Sequence, residues 1–324
     1  MLAVMSPEEL TVCDPACGSG HMLTYAFDLL YEIYEEEGYS PSDIPALILE
    51  HNLYGMEIDE RAANLAAFAL TMKARSRSRR FFRKQVTPKI QCITPVEFTD
   101  SEVAELNDQY GANLDSSVWN TYVKADVYGS LIQPPQELVD LAESEHTNVT
   151  GDGILFDSIL RERAQTVLDQ TKYLSRKYTA VVANPPYMGA KNMSGELKQF
   201  IQDHYEDGKA DLFAAFILRN LQLIQPNAML GMVTMQSWMF LSSFEALRRT
   251  ILEKQTITTM AHLGTRAFGS IGGEVVSTTA FVLQNSFIPH YLGTFIQLVD
   301  GESENKKEHM LKTAALQERD GQND

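Results

Sequence analysis

The segment Asn184-Pro185-Pro186-Tyr187 places an amide, two prolines and an aromatic ring directly after an apolar run that ends at Ala183. The run predicts a buried strand, and the prolines cannot extend its hydrogen-bond ladder. Asn184 can offer its side-chain oxygen as an acceptor, and the double proline can turn the Pro185 carbonyl towards a ligand. Tyr187 can stack on a base that has left its duplex. Together these groups could bind and position a planar NH2 group.

The chemistry predicted for this loop needs positioning but no general base. The amine of a nucleobase is a poor nucleophile because its lone pair is delocalised, and two acceptors draw it towards tetrahedral geometry. A sulfonium methyl group is already activated, and the proton of the amine can leave after transfer. We therefore expect methylation of a planar NH2 group.

Two motifs nearer the start of the chain suit the methyl donor. In "DPACGSGHM", Asp14 closes a predicted strand, and Gly18 and Gly20 let the backbone turn and a ligand approach without a Cβ in the way. In "YGMEID", Glu57 ends the next strand, where a carboxylate can accept hydrogen bonds from both ribose hydroxyls of a nucleoside. The turn lacks the features of a phosphate-cradling loop and the full G-x-G-x-x-G spacing, which argues against a nucleotide triphosphatase and, less firmly, a dehydrogenase.

Strands and helices alternate along the chain, which predicts an α/β fold. We expect a doubly wound, mostly parallel sheet with a closing antiparallel β-pair, whose ligands bind beyond the carboxyl ends of the strands. A helix that starts after Asp211 should stop at Pro226. The predicted strands are 10–14, 53–59, 121–126, 178–184 and 228–235, and the closing pair is 256–264 with 277–285.

Composition restricts the class of protein. At 324 residues and 44% hydrophobic content, the chain can bury a substantial core. It has no run of ~18 apolar residues and no secretory leader, so we expect a soluble, cytoplasmic protein without membrane contact. Cys13, Cys17 and Cys92 are too few and too scattered for a disulfide framework or a zinc site, and no metal is predicted.

The net charge of -16 alone argues against a nucleic-acid binder. One stretch is different, because seven basic residues lie between Lys73 and Lys84. This basic run fits a path for phosphates, and it fits a solvated helix end equally well.

The three motifs, in this order, resemble the S-adenosylmethionine-dependent amino-methyltransferases that make N6-methyladenine in DNA. The segments "LTVCDPACGSGHMLTYAFDLLYEIYEEEGY", "ILEHNLYGMEIDERAANLAAFALTMKAR" and "VKADVYGSLIQPP" resemble the PglX family, the adenine-specific methyltransferases of BREX phage-exclusion systems. The resemblance covers most of the chain. It implies a Rossmann-like class I methyltransferase fold, with double-stranded DNA and other phage-defence proteins as partners.

The resemblance also implies roles for single residues. The turn from Asp14 to Gly20 would wrap the methionine part of S-adenosylmethionine, and Glu57 would hold its ribose. Ile58 would pack on the cofactor adenine, and Asp126 would bond to the amino group of that ring. Asp211 would help to shape the pocket, although a helix N-cap explains it equally well. The implied cofactor-binding residues are Asp14, Ala16, Gly18, Gly20, Glu57, Ile58, Asp126 and Asp211.

The catalytic loop implied by the resemblance is Asn184, Pro185, Pro186 and Tyr187. Phe268, in the loop between the last two predicted strands, would form the second face of a sandwich around the flipped base, opposite Tyr187. A phenylalanine beside a Gly-rich turn also fits a core position.

The expected domain organisation is a methyltransferase core over 1–300, with an irregular insertion at about 97–176. Residues 301–324 would be a polar tail that leads towards an absent target-recognition region. If most phosphate contacts belong to absent regions, an acidic core is compatible with DNA as substrate. We expect this chain alone to bind DNA weakly and to methylate it little.

Other functions stay open from the residues. The same loop serves enzymes that methylate glutamine amides in release factors or guanine amines in ribosomal RNA. Cytosine-N4 enzymes usually replace the asparagine at position 184 with serine or aspartate, so adenine is preferred. Cytosine-C5 methylation needs a cysteine nucleophile that the loop lacks. A non-catalytic module of a defence complex is the alternative from another class.

Overall fold

Residues 4–144, 155–265, 267 and 276–321 are described by a computed structural model of the protein. The chain forms two compact units. We call Val4–Tyr178 the N-terminal unit, and the unit that begins at Thr179 the C-terminal unit. Each of them alternates strands with helices, as the sequence predicts.

The N-terminal unit contains three strands and eight α-helices among its described residues. Its strands are β1 (Val12–Asp14), β2 (Leu53–Glu57) and β3 (Lys89–Cys92). Its α-helices are α1 (His21–Glu36), α2 (Ile44–Leu47), α3 (Glu60–Arg77), α4 (Asp100–Tyr110), α5 (Ser116–Trp119), α6 (Ala125–Tyr128), α7 (Gln136–Glu143) and α8 (Leu155–Ser175).

The three strands pair in parallel in the order β3-β2-β1. Asp14 lies opposite Gly55, two residues before Glu57, so both acids stand at the carboxyl ends of neighbouring strands. Helix α1 packs on this sheet through buried apolar residues at helical spacing, because one face of the helix repeats every three or four residues. These residues are Leu23, Ala26, Phe27, Leu30, Tyr31 and Tyr34.

The predicted strand at 121–126 is wrong. This segment is helical instead and runs into α6. The Tyr122 hydroxyl makes a 2.9 Å hydrogen bond with that of Thr171, and both residues are buried against helices. Strand β3 occupies the edge instead, and its four residues are only half-buried. A half-buried edge strand needs no apolar run, which explains why the sequence pattern missed it.

The C-terminal unit contains five strands and four α-helices among its described residues. The strands are β4 (Tyr178–Ala183), which begins at the boundary, β5 (Ile224–Met235), β6 (Thr256–Gly264), β7 (Thr278–Gln284) and β8 (Thr294–Gln297). The helices are α9 (Gly195–His204), α10 (Leu212–Leu223), α11 (Glu245–Lys254) and α12 (Glu304–Gly321).

These strands lie in the order β4-β5-β7-β6-β8. Strand β7 pairs antiparallel with both β5 and β6, which confirms the closing antiparallel pair, and β8 adds an unpredicted strand parallel to β6. The predicted α/β fold class is therefore confirmed. Helix α10 does not extend to Pro226, which lies inside β5. It ends at Leu223 because the backbone is already extended at Ile224.

Helix α12 occupies most of the polar tail. Lys307, near its start, is buried, and its Nζ donates to the carbonyl oxygens of Leu263 at 2.7 Å and Leu298 at 2.8 Å. These bonds fix the helix to the end of β6. The division into a core over 1–300 with an insertion and a tail over 301–324 stays a prediction. Within the described ranges, no helix is both long and apolar enough to cross a membrane.

Candidate active site

The Gly-rich turn joins β1 to α1 at the carboxyl edge of the N-terminal sheet. Gly18 and Gly20 have φ angles of 51° and 83°, in the left-handed region that favours glycine. A Cβ at Gly20 would lie 3.0 Å from the Cβ of Ala66 in α3, so the helix can approach only a glycine there. A Cβ at Gly18 would meet nothing within 4 Å, which leaves open space beside that residue.

Glu57 links the Gly-rich turn to the end of β2. Its Oε2 accepts a hydrogen bond from the Gly18 N–H at 2.8 Å, and its Oε1 accepts from the Ile58 and Asp59 N–H groups at 2.9 and 3.0 Å. A carboxylate offers about four acceptor positions, so one stays available after these three bonds. The carboxylate is thus preorganised by the backbone of both motifs.

Asp14 is the buried acid of this site. Burial raises the pKa of its carboxyl to about 7, and the nearby Glu57 carboxylate adds to the rise. The Ala16 N–H opposes the rise by donating to Oδ1 at 3.1 Å. An acid with this pKa is poised to ionise when a cation comes near.

The segment that carries Asp126 lies against both cofactor motifs. Ser130 Oγ donates to the Pro15 carbonyl at 2.5 Å, and a Cβ at Gly129 would lie only 2.7 Å from Cγ2 of Ile58. Ile58 is 47% exposed, so part of its side chain is free to meet a ligand. Asp126 itself is exposed in the first turn of α6, and its expected place at a strand end is wrong.

The Asn184-Pro185-Pro186-Tyr187 loop leaves the carboxyl end of β4. The Asn184 side chain is exposed, and its Oδ1 accepts a 3.0 Å hydrogen bond from the Tyr187 hydroxyl. The Val233 carbonyl of β5 lies 3.4 Å from the same hydroxyl. Burial raises the pKa of Tyr187 to about 12, so the hydroxyl keeps its proton and its role as donor. The second lone pair of Asn184 Oδ1 stays available.

Asp211 caps α10 and anchors the catalytic loop. Its Oδ1 accepts from the Met188 N–H at 3.0 Å and from the Phe213 N–H at 3.3 Å. Burial raises the pKa of this carboxyl, and the backbone N–H groups work against the rise. The Phe213 ring meets the Tyr187 ring edge-on at 6.1 Å between centroids. The sequence did not indicate the contacts of Tyr187 with Val233 and Phe213, because no local pattern links these residues.

The structure thus brings together the predicted residues in two groups. The N-terminal unit groups Asp14, Ala16, Gly18, Gly20, Glu57 and Ile58, and the C-terminal unit groups Asn184, Pro185, Pro186, Tyr187 and Asp211. Phe268 lies outside the described residues. The functional roles of all these side chains stay predictions.

Comparison with known proteins indicates the same kind of enzyme as the sequence motifs do. The family model of the Eco57I restriction-modification methylase matches residues 51–268. The chain is 41% identical over 336 residues to the adenine-specific methyltransferase BrxX of Escherichia coli O9:H4 (strain HS). It is 39% identical over 317 residues to the adenine-specific methyltransferase PglX of Lacticaseibacillus casei (strain Zhang). The predicted resemblance to the PglX family is therefore confirmed.

The matched region is only part of those relatives. Each alignment covers 95% of this chain but 28% of BrxX and 26% of PglX, so the chain spans about a quarter of the length of these curated relatives. Among solved structures, the ATP-dependent Type ISP restriction-modification enzyme LlaBIII bound to DNA matches with a TM-score of 0.57 at 15% identity. That match covers 94% of this chain and 18% of the LlaBIII chain, and it supports the fold.

Proposed function

This chain belongs to the Eco57I restriction-modification methylase family, and on that premise we propose that it methylates the N6 amino group of adenine in DNA. The methyl donor is S-adenosylmethionine. The observation that carries the proposal is the exposed Asn184 amide at the end of β4, held by the Tyr187 hydroxyl with one acceptor position free.

The residues of the N-terminal unit fit the methyl donor. The open space beside Gly18 admits a ligand close to the backbone, and Glu57 keeps an acceptor position for the hydroxyls of a ribose. The buried Asp14 carboxyl would balance the positive charge of the methionine part. When bound, S-adenosylmethionine supplies a methyl group that the sulfonium already activates. The chain therefore has to bind and orient, without a general base.

The residues of the C-terminal unit would hold the acceptor. Asn184 Oδ1 and the Pro185 carbonyl accept from the two hydrogens of the amine and draw it towards tetrahedral geometry, and Tyr187 stacks on the base. Asp211 and Phe213 support this geometry, because they fix the backbone after Tyr187 and the position of its ring.

The partners follow from the same proposal. Its relatives are named adenine-specific methyltransferases, which supports adenine as the target base. We propose double-stranded DNA as the substrate and the cytoplasm as the location. The PglX-like similarity supports a place in a restriction-modification or phage-exclusion system, beside other defence proteins. A non-catalytic module of such a system would bind the same partners without turnover.

A substrate panel tests the proposed activity. Transfer of a labelled methyl group is measured with adenine-containing duplex DNA, a duplex whose only exocyclic amines lie on cytosine and guanine, ribosomal RNA and a release factor. Label on N6 of adenine alone supports the proposal. Label on RNA, on a glutamine amide or on cytosine N4 would overturn it in favour of the matching alternative.

The raised pKa of Asp14 predicts a pH dependence of cofactor affinity. Because the cationic cofactor favours the ionised carboxylate, binding should release a proton below about pH 7. Affinity for S-adenosylmethionine should fall as the pH drops from about 7 to 5, and should be flat above about 7.5. Calorimetric titration in buffers of different ionisation enthalpy measures both the affinity and the proton release.

The Asp14 carboxyl has the opposite pH effect on the folding stability of the chain without cofactor. A carboxyl whose pKa is higher in the folded state contributes most stability when protonated, so its contribution is present below about pH 4 and is lost as the pH rises to about 7. The Asp14→Asn variant should lack both pH dependences. An unchanged pH profile of cofactor binding in this variant would show that Asp14 is not the group responsible.

A further inference from the structure

The basic run at the end of α3 lies at the amino ends of the strands of the N-terminal sheet. Glu57 lies at their carboxyl ends. Helix α3 starts directly after Asp59 and has 18 residues, which corresponds to about 27 Å. Lys89 pairs with Tyr54 at the start of β2, so the intervening residues 78–88 lie at the amino ends of the strands. The run is therefore remote from the Gly-rich turn.

Part of the basic run is neutralised within the fold. Lys73 and Arg77 form ion pairs with Asp28 at 2.5 and 3.2 Å, and Lys84 forms one with Asp43. A solvated helix end is a sufficient explanation for these cations. They contribute little net charge to the surface.

Three other arginines of the run are different. Arg79, Arg80 and Arg83 are exposed, and within the part of the chain that the structure describes their guanidinium groups have no ion pair or hydrogen bond. Phe82, beside them, is 59% exposed, and the Arg75 guanidinium lies 5.8 Å from the centroid of its ring. This surface therefore presents guanidinium groups, not neutralised by a described carboxylate, beside the exposed ring of Phe82.

A second pair of cations lies at the same amino edge. Lys89 Nζ lies 4.8 Å and Arg176 Cζ 4.5 Å from the centroid of the buried Tyr54 ring, and Lys89 also donates to the Tyr54 hydroxyl at 3.1 Å. Neither forms an ion pair with a described carboxylate. An aromatic ring holds a cation in place without cancelling its charge, so both stay available to an anion.

Several carboxylates near this edge are engaged. Asp43 pairs with Lys84, Glu8 accepts from the Tyr39 hydroxyl at 3.0 Å, and Glu9 accepts from the Met5 N–H at 3.0 Å. The exposed Glu50 and the exposed acids at the end of α1, which are Glu35, Glu36 and Glu37, are further carboxylates on this side of the unit. Arg79, Arg80, Arg83, Lys89 and Arg176 nevertheless form no ion pair with a described carboxylate, on a chain whose net charge is -16.

We propose that the amino-edge cations bind the phosphate backbone of DNA at a surface separate from the cofactor motifs of the same unit. The members of this surface are Arg79, Arg80, Arg83, Lys89 and Arg176. Guanidinium forks match the geometry of phosphate oxygens, and four of the five are arginines. The choice of DNA as the polyanion rests on the proposed function. The surface would hold a stretch of duplex away from the Gly-rich turn and Glu57.

The test removes the three unpaired arginines together. The variant with Arg79→Ser, Arg80→Ser and Arg83→Ser is titrated into a labelled 25-base-pair duplex at several salt concentrations from about 25 mM upwards, and binding is followed by fluorescence anisotropy. Each lost phosphate contact lowers the slope of log K against log salt by about 0.9. We expect the slope to fall by about 2 to 3 and the low-salt affinity to fall at least about tenfold.

A matched control removes the same charge elsewhere. Arg249, Lys306 and Lys312 are exposed and paired with glutamates on or beside their own helices, so their combined replacement by serine should leave the slope within about 0.5 of wild type. An equal loss in both triple variants would mean that only net charge matters, and would overturn the proposal. So would a wild-type chain that binds no duplex at about 25 mM salt.

Folding and cofactor binding are followed in the same samples. The Arg79/Arg80/Arg83 variant should keep the wild-type melting temperature and affinity for S-adenosylmethionine. Should it unfold, the three single variants give the same test, with a slope change of about 0.9 each. A wild-type chain that binds duplex through these arginines but does not bind S-adenosylmethionine would support this surface and contradict the proposed function, so the two failures are distinguishable.

Discussion

Replacement of Asn184 by alanine should lower the rate of methyl transfer to adenine by about a hundred- to a thousandfold. The variant loses the side-chain oxygen that accepts from the amine, while the Tyr187 hydroxyl keeps the Val233 carbonyl as an acceptor at 3.4 Å. The loop backbone should therefore keep its shape. The rate is measured in a single turnover at low salt, with the chain in excess over adenine-containing duplex so that weak binding does not limit it.

Two further variants isolate the role of this amide. Asn192→Ala makes the same change at an exposed asparagine of the same loop region and should leave the rate within about twofold. Tyr187→Phe keeps the ring but removes the hydroxyl that orients Asn184, so its loss should be intermediate, at about tenfold. Affinity for S-adenosylmethionine should be unchanged in all three. A rate within threefold of wild type in Asn184→Ala would exclude this amide as the acceptor.

Replacement of Glu57 by alanine should lower the affinity for S-adenosylmethionine by about ten- to a hundredfold. One hydrogen bond from a ribose hydroxyl to the remaining acceptor position of this charged group is worth about 1.5 to 3 kcal/mol, which corresponds to about ten- to a hundredfold. The turn also loses the anchor that Oε2 provides for the Gly18 N–H. Calorimetric titration of S-adenosylmethionine into each variant measures the effect.

Glu60→Ala is the matched control for this variant. Glu60 is an exposed acid in the first turn of α3, three residues from Glu57, and its carboxylate has no hydrogen bond among the described residues. Its loss changes the charge equally and should alter the affinity by less than about threefold. Equal losses in the two variants would mean that negative charge near the turn accounts for the affinity, without hydrogen bonds from the ribose to Glu57. Wild-type affinity in Glu57→Ala would remove the carboxylate from the cofactor site.

The sequence was sufficient to predict the positions of Asp14, Glu57 and Asn184, because each follows a short apolar run that forms a buried strand. The carboxyl ends of parallel strands collect ligand-binding residues, so strand ends and acid positions could be inferred together. Asp126 shows the limit of this argument. Its segment contains apolar residues at strand-like spacing, but these are buried by helices and not by neighbouring strands.

Contacts between distant residues could not be inferred from any local pattern. The bond from Ser130 to Pro15 joins residues 115 positions apart, and the contact of Tyr187 with Val233 joins residues 46 positions apart. The basic run was ambiguous for a similar reason. Only the structure separates Lys73, whose partner Asp28 belongs to another helix, from Arg80, which has no ion-pair partner among the described residues.

The cofactor motifs and the amino-edge cations place groups of opposite charge at the two ends of the strands of the N-terminal unit. Asp14, Glu57, Asp59 and Glu60 lie at the carboxyl edge, and the amino-edge cations lie at the other end. In the field of a polyanion the cationic end is attracted, so encounters of a duplex with this surface would present the edge away from the cofactor motifs. Most of those encounters would be unproductive, however long they last. The electrostatics that bring the isolated chain to DNA would thus work against catalysis, and productive orientation has to come from contacts of another kind.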